Sequence, residues 1–423
     1  MTLTVFGETG FDILLSGNGS THIRNGGAGL YGALAAARQG INVRFLTILS
    51  PEIDKYGLNV WTKMGVSFSD ALKLDNYNSP KYLVSGFKAF EKKQSIPMNN
   101  VKLGINYKPT LRAECKGLLL FPIDHSFPSD LCKNAYDQGI PVFLDPKLND
   151  KSISSAKSLI QYTTVLLVNE EEAQAITEKI DLNEVIESIL EHGSQYVIIK
   201  RGHLGCILAS RNEITNFPAY KSDVKCSLGS GDVFGGALAA TFLLTNDISK
   251  SIKVANCVAA NFIEDLQTEL ILNRSGVEQE LLTREHLIVD DKHRKIYLAG
   301  PFFSEQELYW VNYVCNHLEK VQFTVLSPSR ENGILSKDST DEERKNIYQL
   351  DINMIDNANL LVALLDHDDP GTYFEMGYAY NRGIPIFGLK TTNKDLNNMI
   401  LCGSVSISSS IEELIDTIYA YEK

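Results

Sequence analysis

Short apolar runs alternate with amphipathic stretches from Met1 to about Arg274. The amphipathic stretches repeat with a helical period, as from Leu30 to Gln39 and from Ile180 to His192. The apolar runs have the length of buried strands, and we predict strands at 43–48, 117–121, 141–145, 165–168 and 196–200. Residues 82–90 alternate in polarity, which predicts part of a hairpin or lid. This order of elements is typical of an α/β fold with a largely parallel sheet.

A second region of the same kind follows a charged stretch from Gly276 to Lys292. The pattern there predicts strands at 295–299, 323–326 and 359–365, and a helix at 305–318. A capping-box sequence at Thr340 begins another helix, which runs to about Asn357. We therefore predict a first domain at 1–275, a linker at 276–293 and a smaller second domain at 294–423.

Composition narrows the class of protein. With 423 residues, 44% hydrophobic and 22% charged, the chain has the make-up of a soluble protein of two or three domains. The net charge of −12 argues against a broad nucleic-acid surface, and no apolar run approaches the ~18 residues of a membrane span. The start of the chain lacks signal-peptide features, and the seven cysteines are scattered. We expect a cytoplasmic protein without membrane or nucleic-acid partners.

Two carboxylates, Asp369 and Glu375, follow the apolar run 359–365. The sequence predicts Asp369 on a strand-to-helix loop, Thr372 as N-cap, and Glu375 in the first turn of a helix ending near Gly383. Paired carboxylates at the carboxyl end of a strand suit glycosyl transfer, in which one attacks the anomeric carbon and one manages a proton. The alternative is a purely structural role, in which Glu375 interacts favourably with the positive end of the helix dipole and Asp369 is an ordinary polar residue of a turn.

The stretch Gly229-Ser-Gly-Asp232 precedes an apolar helix predicted from Val233 to Leu244. N–H groups of Gly229, Ser230 and Gly231 at a helix N-terminus would form an anion site. An acid beside such a site suits a base that takes a proton from a hydroxyl while a phosphoryl group is transferred. The alternative is Asp232 as an N-cap with Gly235–Ala237 packed closely.

A second glycine-rich stretch, Gly27 to Gly32, fits G-x-G-x-x-G but follows a polar loop rather than a strand. We therefore reject a dinucleotide fingerprint. The glycines would let the backbone approach a polar ligand and begin a helix from Leu30 to Arg38, or else permit tight helix packing.

The first region resembles the PfkB (ribokinase-like) sugar and nucleoside kinases over about Thr2 to Gln267. The resemblance rests on Gly229-Ser-Gly-Asp232 for the family's G-A-G-D, the pair Gly26-Gly27, and Phe11-Asp12. It implies a ribokinase-like fold and ATP-dependent phosphorylation with Asp232 as base. The remaining implied roles are substrate binding by Asp12, Gly26 and Gly27; ATP and anion binding by Gly229, Ser230, Gly231, Lys200, Gly202 and Gly205; and Mg²⁺ binding, directly or through water, by Asn169 and Glu172 of an N-x-x-E motif. The segment between Asp12 and Gly26 is short, which predicts a reduced lid, and no adenine contact is assigned at 256–268.

Asp351 stands out in the helix after Thr340. Ile347, Leu350, Met354 and Ile355 make a predicted buried stripe, and Asp351 lies on its margin. A carboxylate in that position is either paired or functional.

The second region, about Arg294 to Ile418, resembles the nucleoside 2-deoxyribosyltransferases through Ile296 to Phe302, Asp351 and Asp369 to Ala379. The resemblance implies a flavodoxin/Rossmann-like α/β domain in which Glu375 attacks C1′ of the sugar. It further implies that Asp351 and Asp369 handle the base, that Tyr297 orients the nucleophile, and that Asn397 and Met399 bind the 5′ end of the sugar in a neighbouring subunit. A homo-oligomer is therefore expected.

The loop Gly300 to Glu305 has no arginine, unlike relatives that hydrolyse nucleoside 5′-monophosphates, which favours an unphosphorylated nucleoside. Arg330 or Arg344 could still supply charge. Together the two resemblances imply a bifunctional enzyme that uses ATP and Mg²⁺ and acts on nucleosides or their sugars. The alternatives are a C-terminal N-glycosidase that hydrolyses a nucleoside or its monophosphate, and a kinase domain that senses nucleotides or prepares the substrate. The order of the two reactions is open.

Overall fold

A computed structural model describes most of the chain, namely residues 1–15, 21–53, 55–85, 94–95, 108–123, 127–222, 226–265, 281–287, 294–320, 323–333, 335, 339–392 and 394–421. The chain forms two compact units. One comprises Met1–Ile13, Ile23–Leu83 and Gln94–Leu287, and the other consists mainly of Ile288–Lys423. Residues 86–90 of the predicted lid, and 276–280 and 288–293 of the predicted linker, lie outside the described residues.

Fifteen strands and eight helices are described before residue 265. The strands are β1 (Thr2–Phe6), β2 (Gly10–Leu15), β3 (Thr21–Gly26), β4 (Asn42–Leu46), β5 (Ile48–Leu49), β6 (Val66–Ser67), β7 (Leu72–Lys73), β8 (Lys81–Ser85), β9 (Gln94–Ser95), β10 (Cys115–Leu120), β11 (Val142–Leu144), β12 (Val165–Asn169), β13 (Tyr196–Lys200), β14 (Cys206–Ala209) and β15 (Ile214–Phe217). The helices are α1 (Ala28–Arg38), α2 (Lys55–Lys63), α3 (Ser129–Asp137), α4 (Asp150–Leu159), α5 (Glu170–Thr177), α6 (Leu182–Glu191), α7 (Ser230–Thr245) and α8 (Ile248–Ile263).

Nine of these strands form one sheet in the order β15-β14-β13-β12-β11-β10-β1-β4-β6. Every described pairing in it is parallel except β13–β14 and β14–β15, so the predicted largely parallel α/β fold is confirmed. A smaller sheet has the order β3-β2-β8-β9. Its β8 and β9 pair antiparallel, as in a hairpin, but β9 lies beyond the predicted residues 82–90. The segment between the two strands is outside the described residues, so the hairpin or lid stays a prediction.

Helices cover both faces of the large sheet. Side chains of α1, α7 and α8 share one apolar core with sheet residues such as Leu119 and Phe143, whereas α3 to α6 share a second core with Leu118 and Leu144. Helices α1 and α7 approach closely, because a Cβ added at Gly236 would lie 2.1 Å from the Gly32 carbonyl oxygen. The tight helix packing weighed as an alternative for both glycine-rich stretches is therefore present at this pair.

Part of the predicted linker packs on the first unit. The Leu287 N–H donates to the Ala219 carbonyl at 2.8 Å, and the Lys221 N–H donates to the Glu285 carbonyl at 2.9 Å. The rings of Tyr220 and His286 stack with centroids 4.6 Å apart. The first unit thus extends to Leu287.

The second unit is built on a five-stranded sheet of parallel strands in the order β17-β16-β18-β19-β20. Its strands are β16 (Lys295–Ala299), β17 (Thr324–Leu326), β18 (Leu360–Leu364), β19 (Ile386–Leu389) and β20 (Ser406–Ser408). Its described helices are α9 (Glu305–Lys320), α10 (Pro328–Glu331), α11 (Asp341–Asp356), α12 (Pro370–Asn381), α13 (Asn398–Gly403) and α14 (Ile411–Ala420). Counted along the unit, the strand order is 2-1-3-4-5, the flavodoxin-like order in which ligands bind where the order reverses, here between β16 and β18.

One detail of the predicted core is wrong. Within the stripe on α11, Ile355 is fully buried, but Leu350 is 39% exposed. Among the described residues, no helix is both long enough and apolar enough to cross a membrane. The cytoplasmic location stays a prediction.

Candidate active sites

Helix α7 begins at the glycine-rich loop of the first unit. Gly229 is its N-cap and has a left-handed backbone with φ of 86°, and a Cβ there would lie 2.6 Å from the Tyr31 ring. The Ser230 N–H donates to the Ser227 carbonyl at 3.1 Å, so this amide of the predicted anion site is already used within the turn. A Cβ at Gly231 would lie 3.4 Å from Lys200 Nζ, so the predicted loop and lysine do meet.

Asp232 occupies the third position of α7. Because Gly229 is the N-cap, the alternative assignment of Asp232 as an N-cap is wrong. The Asp232 carboxylate is largely buried, and the Lys147 ammonium contacts its Oδ1. Sequence reasoning missed Lys147, which lies two residues after Asp145 and has no spacing relation to Asp232.

Asp145 anchors Lys200 behind the loop. Lys200 Nζ donates to Asp145 Oδ2 at 2.7 Å, and the Asp145 side chain is fully buried. Burial raises the pKa of Asp145 to about 6, although Lys200 and Lys147 oppose the rise. Lys200, at the end of β13, is therefore fixed by a carboxylate that directly follows β11, two strands away in the sheet.

Asn169 and Glu172, predicted to bind Mg²⁺, form a capping box at the start of α5. The Glu172 N–H donates to Asn169 Oδ1 at 2.8 Å, and the Asn169 N–H donates to Glu172 Oε2 at 2.9 Å. Both side chains therefore cap the helix, and Mg²⁺ binding by them stays a prediction. A Cβ at Gly205 would lie 1.9 Å from the Phe217 carbonyl oxygen, so that glycine is needed by the turn between β13 and β14, which begins at Gly202.

Asp12, the predicted binder of substrate hydroxyls, lies on β2 and is buried. Its Oδ2 accepts hydrogen bonds from the Tyr31 hydroxyl and from Arg24 Nε, the latter at 3.4 Å. Burial raises the pKa of Asp12, and Tyr31 and Arg24 only partly oppose the rise. Gly26 packs against the carboxylate, because a Cβ there would lie 2.7 Å from Asp12 Oδ1. Gly27 is the N-cap of α1 with φ of 99°.

Arg24 was not predicted, and it joins the two halves of this site. Its Nη2 donates to the Leu228 carbonyl at 2.9 Å, directly before the Gly229 turn. Its guanidinium carbon lies 5.5 Å from the centroid of the Tyr31 ring and 5.1 Å from that of Phe262.

The second unit places Tyr297 beside Glu375, as predicted. The Tyr297 hydroxyl, fully buried on β16, donates to Glu375 Oε1 at 2.7 Å. Burial raises the pKa of Glu375 to about 8. The charges of Asp351 and Asp369 contribute to the rise, whereas the hydrogen bond from Tyr297 opposes it. Burial and the Glu375 charge also raise the pKa of Tyr297, so its hydroxyl keeps its proton. The four predicted residues therefore share one electrostatic environment.

Asp351 is paired with a neutral amide. Asn332 Nδ2 donates to Asp351 Oδ1 at 2.7 Å and contacts Met354 Sδ at 2.9 Å. Burial raises the pKa of Asp351, and the hydrogen bond from Asn332 opposes this only in part. Sequence reasoning missed Asn332, which lies on the segment after α10.

Asp369, not Thr372, is the N-cap of α12. Asp369 Oδ2 accepts from the Thr372 N–H and hydroxyl, both at 2.7 Å, and Pro370 is the first helical residue. The predicted N-cap is wrong because proline needs no N–H partner at that position and fixes the helix start. Glu375 therefore lies in the second turn rather than the first.

Asn397 caps a short helix, α13, by accepting the Met399 N–H at 2.8 Å. The Met399 side chain is 80% exposed. Both residues thus lie at the surface of the described unit.

Two family models match separate parts of the chain. The pfkB family carbohydrate kinase model matches residues 122–272, which include Asp145, Lys200 and Asp232. The nucleoside 2-deoxyribosyltransferase model matches residues 296–412, which include Tyr297 and Glu375.

Similar proteins match the first region. A bifunctional ribokinase/ribose-5-phosphate isomerase A of Fructilactobacillus sanfranciscensis is 21% identical over 277 residues, 62% of this chain and 49% of the relative. An uncharacterized sugar kinase of Archaeoglobus fulgidus is 24% identical over 130 residues, 31% of this chain and 49% of the relative. The chain thus spans about half the length of these curated relatives.

Solved structures support the fold. Ribokinase of Thermotoga maritima has a TM-score of 0.52 and 20% identity, covering 67% of this chain and 99% of that one. The nucleoside kinase of Burkholderia thailandensis, in complex with inosine, has a TM-score of 0.55 and 18% identity, covering 67% and 98%. The chain therefore joins a ribokinase-like pfkB-family domain to a nucleoside 2-deoxyribosyltransferase-family domain.

Proposed function

We propose that the chain is a bifunctional enzyme of nucleoside metabolism. Its first domain phosphorylates a hydroxyl of a sugar or nucleoside with ATP, and its second cleaves or transfers at the N-glycosidic bond of a (deoxy)nucleoside. The observation that carries the proposal is the Glu375 carboxylate held by the buried Tyr297 hydroxyl at 2.7 Å, since a nucleoside-cleaving site makes a nucleoside or its sugar the natural substrate of the kinase.

In the glycosyl step, the ionised form of Glu375 attacks C1′ and the C1′–N bond breaks. Asp351, with a raised pKa, delivers the proton to the leaving base, and Asp369 hydrogen-bonds it. Water or a second base then attacks C1′ and releases Glu375. Tyr297 holds the nucleophile in place.

In the kinase step, the acceptor hydroxyl attacks the γ-phosphorus of ATP. Its proton passes to Asp232, and the bond from phosphorus to the leaving ADP oxygen breaks. Lys200 and the N–H groups of Gly229 and Gly231 offset the charge on the transferring group. Mg²⁺ would neutralise phosphate charge, and Glu172 would reach it through water because its Oε2 already accepts the Asn169 N–H.

The hydrogen-bond partners of Arg330 and Arg344 favour an unphosphorylated nucleoside at the second site. Arg330 donates to Glu319 Oε1 at 2.8 Å and to Asn312 and Asn316 on α9. Arg344 Nε donates to the Ser339 carbonyl at 3.1 Å. Because both predicted sources of phosphate-binding charge have other partners, we place base release before phosphorylation.

Exposed apolar side chains support a homo-oligomer through the second domain. Tyr348 and Leu350 on α11, Phe374 and Tyr380 on α12, and Met399 on α13 are all exposed. The rings of Tyr348 and Phe374 lie 6.1 Å apart, so these two side chains adjoin across α11 and α12, and contiguous exposed apolar side chains mark protein interfaces. Such an assembly would bring Asn397 and Met399 to the sugar of a neighbouring active site.

The proposal is tested with the purified protein and a panel of ribo- and deoxynucleosides, with and without ATP and Mg²⁺. Chromatography should detect free base without ATP, a new nucleoside when a second base is added, and a phosphorylated product only with ATP. Release without any exchange would identify a hydrolase. Base release that requires ATP would reverse the order, and no release from any nucleoside would contradict the glycosyl site.

Replacing Tyr297 with phenylalanine should lower kcat for base release about a hundredfold, because misplacement of a reacting group by about 1 Å has an effect of that size. The matched control is Tyr378→Phe, which removes a hydroxyl that donates to Asp356 on the surface at 3.1 Å and should keep wild-type kcat. A Tyr297→Phe variant with unchanged kcat would show that the hydroxyl does not orient the nucleophile.

A further inference from the structure

Lys147 covers the atom that the proposed kinase step must use. Its ammonium contacts Asp232 Oδ1, the oxygen that would otherwise accept the proton of a substrate hydroxyl. The Lys147 backbone N–H is fixed by Ser152 Oγ at 3.0 Å, and Nζ lies 5.9 Å from the centroid of the Phe121 ring. In this arrangement the base is paired with a cation.

The charge on Lys147 is secured by its neighbours. Burial lowers the pKa of Lys147, but the carboxylates of Asp232, Asp145 and Glu172 outweigh burial and raise it above its ordinary value. The ammonium thus stays protonated throughout the neutral range, and only displacement can uncover Asp232 Oδ1.

A second acceptor for this ammonium lies close by. Asp145 is fully buried, and its Oδ2 holds Lys200, but its Oδ1 has no hydrogen-bond partner in the part of the chain that the structure describes. A buried carboxylate oxygen without a partner is unfavourable and calls for a donor. Lys147 follows Asp145 by two residues, and its charge acts on that carboxylate.

We propose that Lys147 is a positioning residue that gates the base, exchanging between Asp232 Oδ1 in the acceptor-free protein and Asp145 Oδ1 when an acceptor is bound. The inference rests on the proposed kinase activity. The acceptor hydroxyl takes the place of the ammonium on Asp232, and Lys147 satisfies the orphaned Asp145 oxygen. Until then Asp232 cannot activate water, so ATP is protected from hydrolysis.

The test compares Lys147→Met with Lys157→Met in the full-length protein. Lys157 is a matched control because it is 38% exposed, as Lys147 is, and pairs with Glu178 on the surface at 2.6 Å. With ATP and Mg²⁺ alone, Lys147→Met should release phosphate about tenfold faster than wild type, because general-base assistance becomes available to water. The Lys157→Met variant should match wild type.

A pH profile separates gating from a merely structural role. In Lys147→Met the acid limb of kcat/KM for the acceptor should move up by about one pH unit or more, because a nearby cation favours an ionised carboxylate. The other charged or titratable groups that act on this site stay in place; they are Asp12, Tyr82, Asp145, Glu172 and Lys200.

The Asp145→Asn variant should behave in the opposite way to Lys147→Met. With the charge of the second acceptor removed, Lys147 should remain on Asp232, so acceptor-free hydrolysis should stay at or below the wild-type rate and the acid limb should not move up as it does in Lys147→Met. Because Asp145 also holds Lys200, a fall in acceptor phosphorylation alone does not support the gate. Acceptor-free hydrolysis and an acid limb that are both unchanged in Lys147→Met would overturn the gate. A wild-type protein that phosphorylates no acceptor would instead overturn the kinase proposal on which it rests.

Discussion

Replacing Glu375 with glutamine should reduce base release about a millionfold, the scale seen when the nucleophile of a covalent enzyme is removed. Glutamine keeps the shape of the side chain and an oxygen that can accept the Tyr297 hydroxyl, which donates to Glu375 Oε1 at 2.7 Å. An amide oxygen, however, is too weak a nucleophile to attack C1′. Chromatographic measurement of free base gives the rate.

The matched control is Glu342→Gln, which changes an exposed glutamate in the first turn of α11 and should keep the wild-type rate. Base release by Glu375→Gln at the wild-type rate would transfer the nucleophile role to another carboxylate, such as Asp351 or Asp369.

Thermal melting of Glu375→Gln tests whether its loss of base release is chemical rather than a consequence of unfolding. The pKa of Glu375 is raised from 4.5 to about 8, so the folded state binds this proton more tightly than the unfolded chain does. The contribution of Glu375 to stability therefore declines as pH rises from about 4.5 to about 8. Glutamine does not titrate, so the melting temperature of the variant minus that of wild type should increase as pH rises from 5 to 8. A difference that decreases over this range would contradict the raised pKa.

Much of this site could be predicted because its residues follow neighbouring parallel strands. Tyr297 lies on β16 and Asp369 follows β18, two strands paired in register from Ile296 opposite Leu360. Carboxyl ends of adjacent parallel strands meet at one edge of a sheet, so motifs placed on the right strands converge. Strand bounds at Tyr196–Lys200 and Lys295–Ala299 were predicted without error, since these apolar runs end at clear breaks.

What the sequence did not indicate are partners that only the tertiary fold brings together. Lys147 and Asp232 are 85 positions apart, and Arg24 and Leu228 are 204 apart. No spacing rule connects such residues, because helical and strand periods act over a few positions. The choice between two nearby N-caps was also predicted wrongly. Asp369 and Thr372 are both good N-caps, and the proline directly after Asp369 makes Asp369 the N-cap.

The helical period predicted that Leu350 is buried, because it fits the apolar stripe of α11, yet its side chain is exposed. A periodic pattern reports which side chains are apolar, not what covers them. Its exposure agrees with the proposed contact between subunits, where the same pattern would be buried.

Replacing Asp232 with asparagine should lower ATP-dependent phosphorylation about a hundred- to ten-thousandfold, the range attributed to a general base. Asparagine keeps the volume at the third position of α7 but cannot take the acceptor proton. Coupled measurement of ADP and of the phosphorylated product gives the effect. Asp137→Asn, at the exposed end of α3, is the matched control and should phosphorylate at the wild-type rate.

The same variant also tests whether the first domain is an enzyme or a nucleotide-binding module. If it only binds nucleotides, Asp232→Asn should leave any ATP consumption unchanged at equal melting temperature. When the acceptor released from the nucleoside is supplied directly, two separate catalytic sites predict that Asp232→Asn abolishes ATP consumption and keeps base release. Glu375→Gln should then abolish base release and keep ATP consumption. Loss of both activities in Asp232→Asn, without a change in melting, would mean that base release depends on the kinase product, and the order proposed here would be wrong.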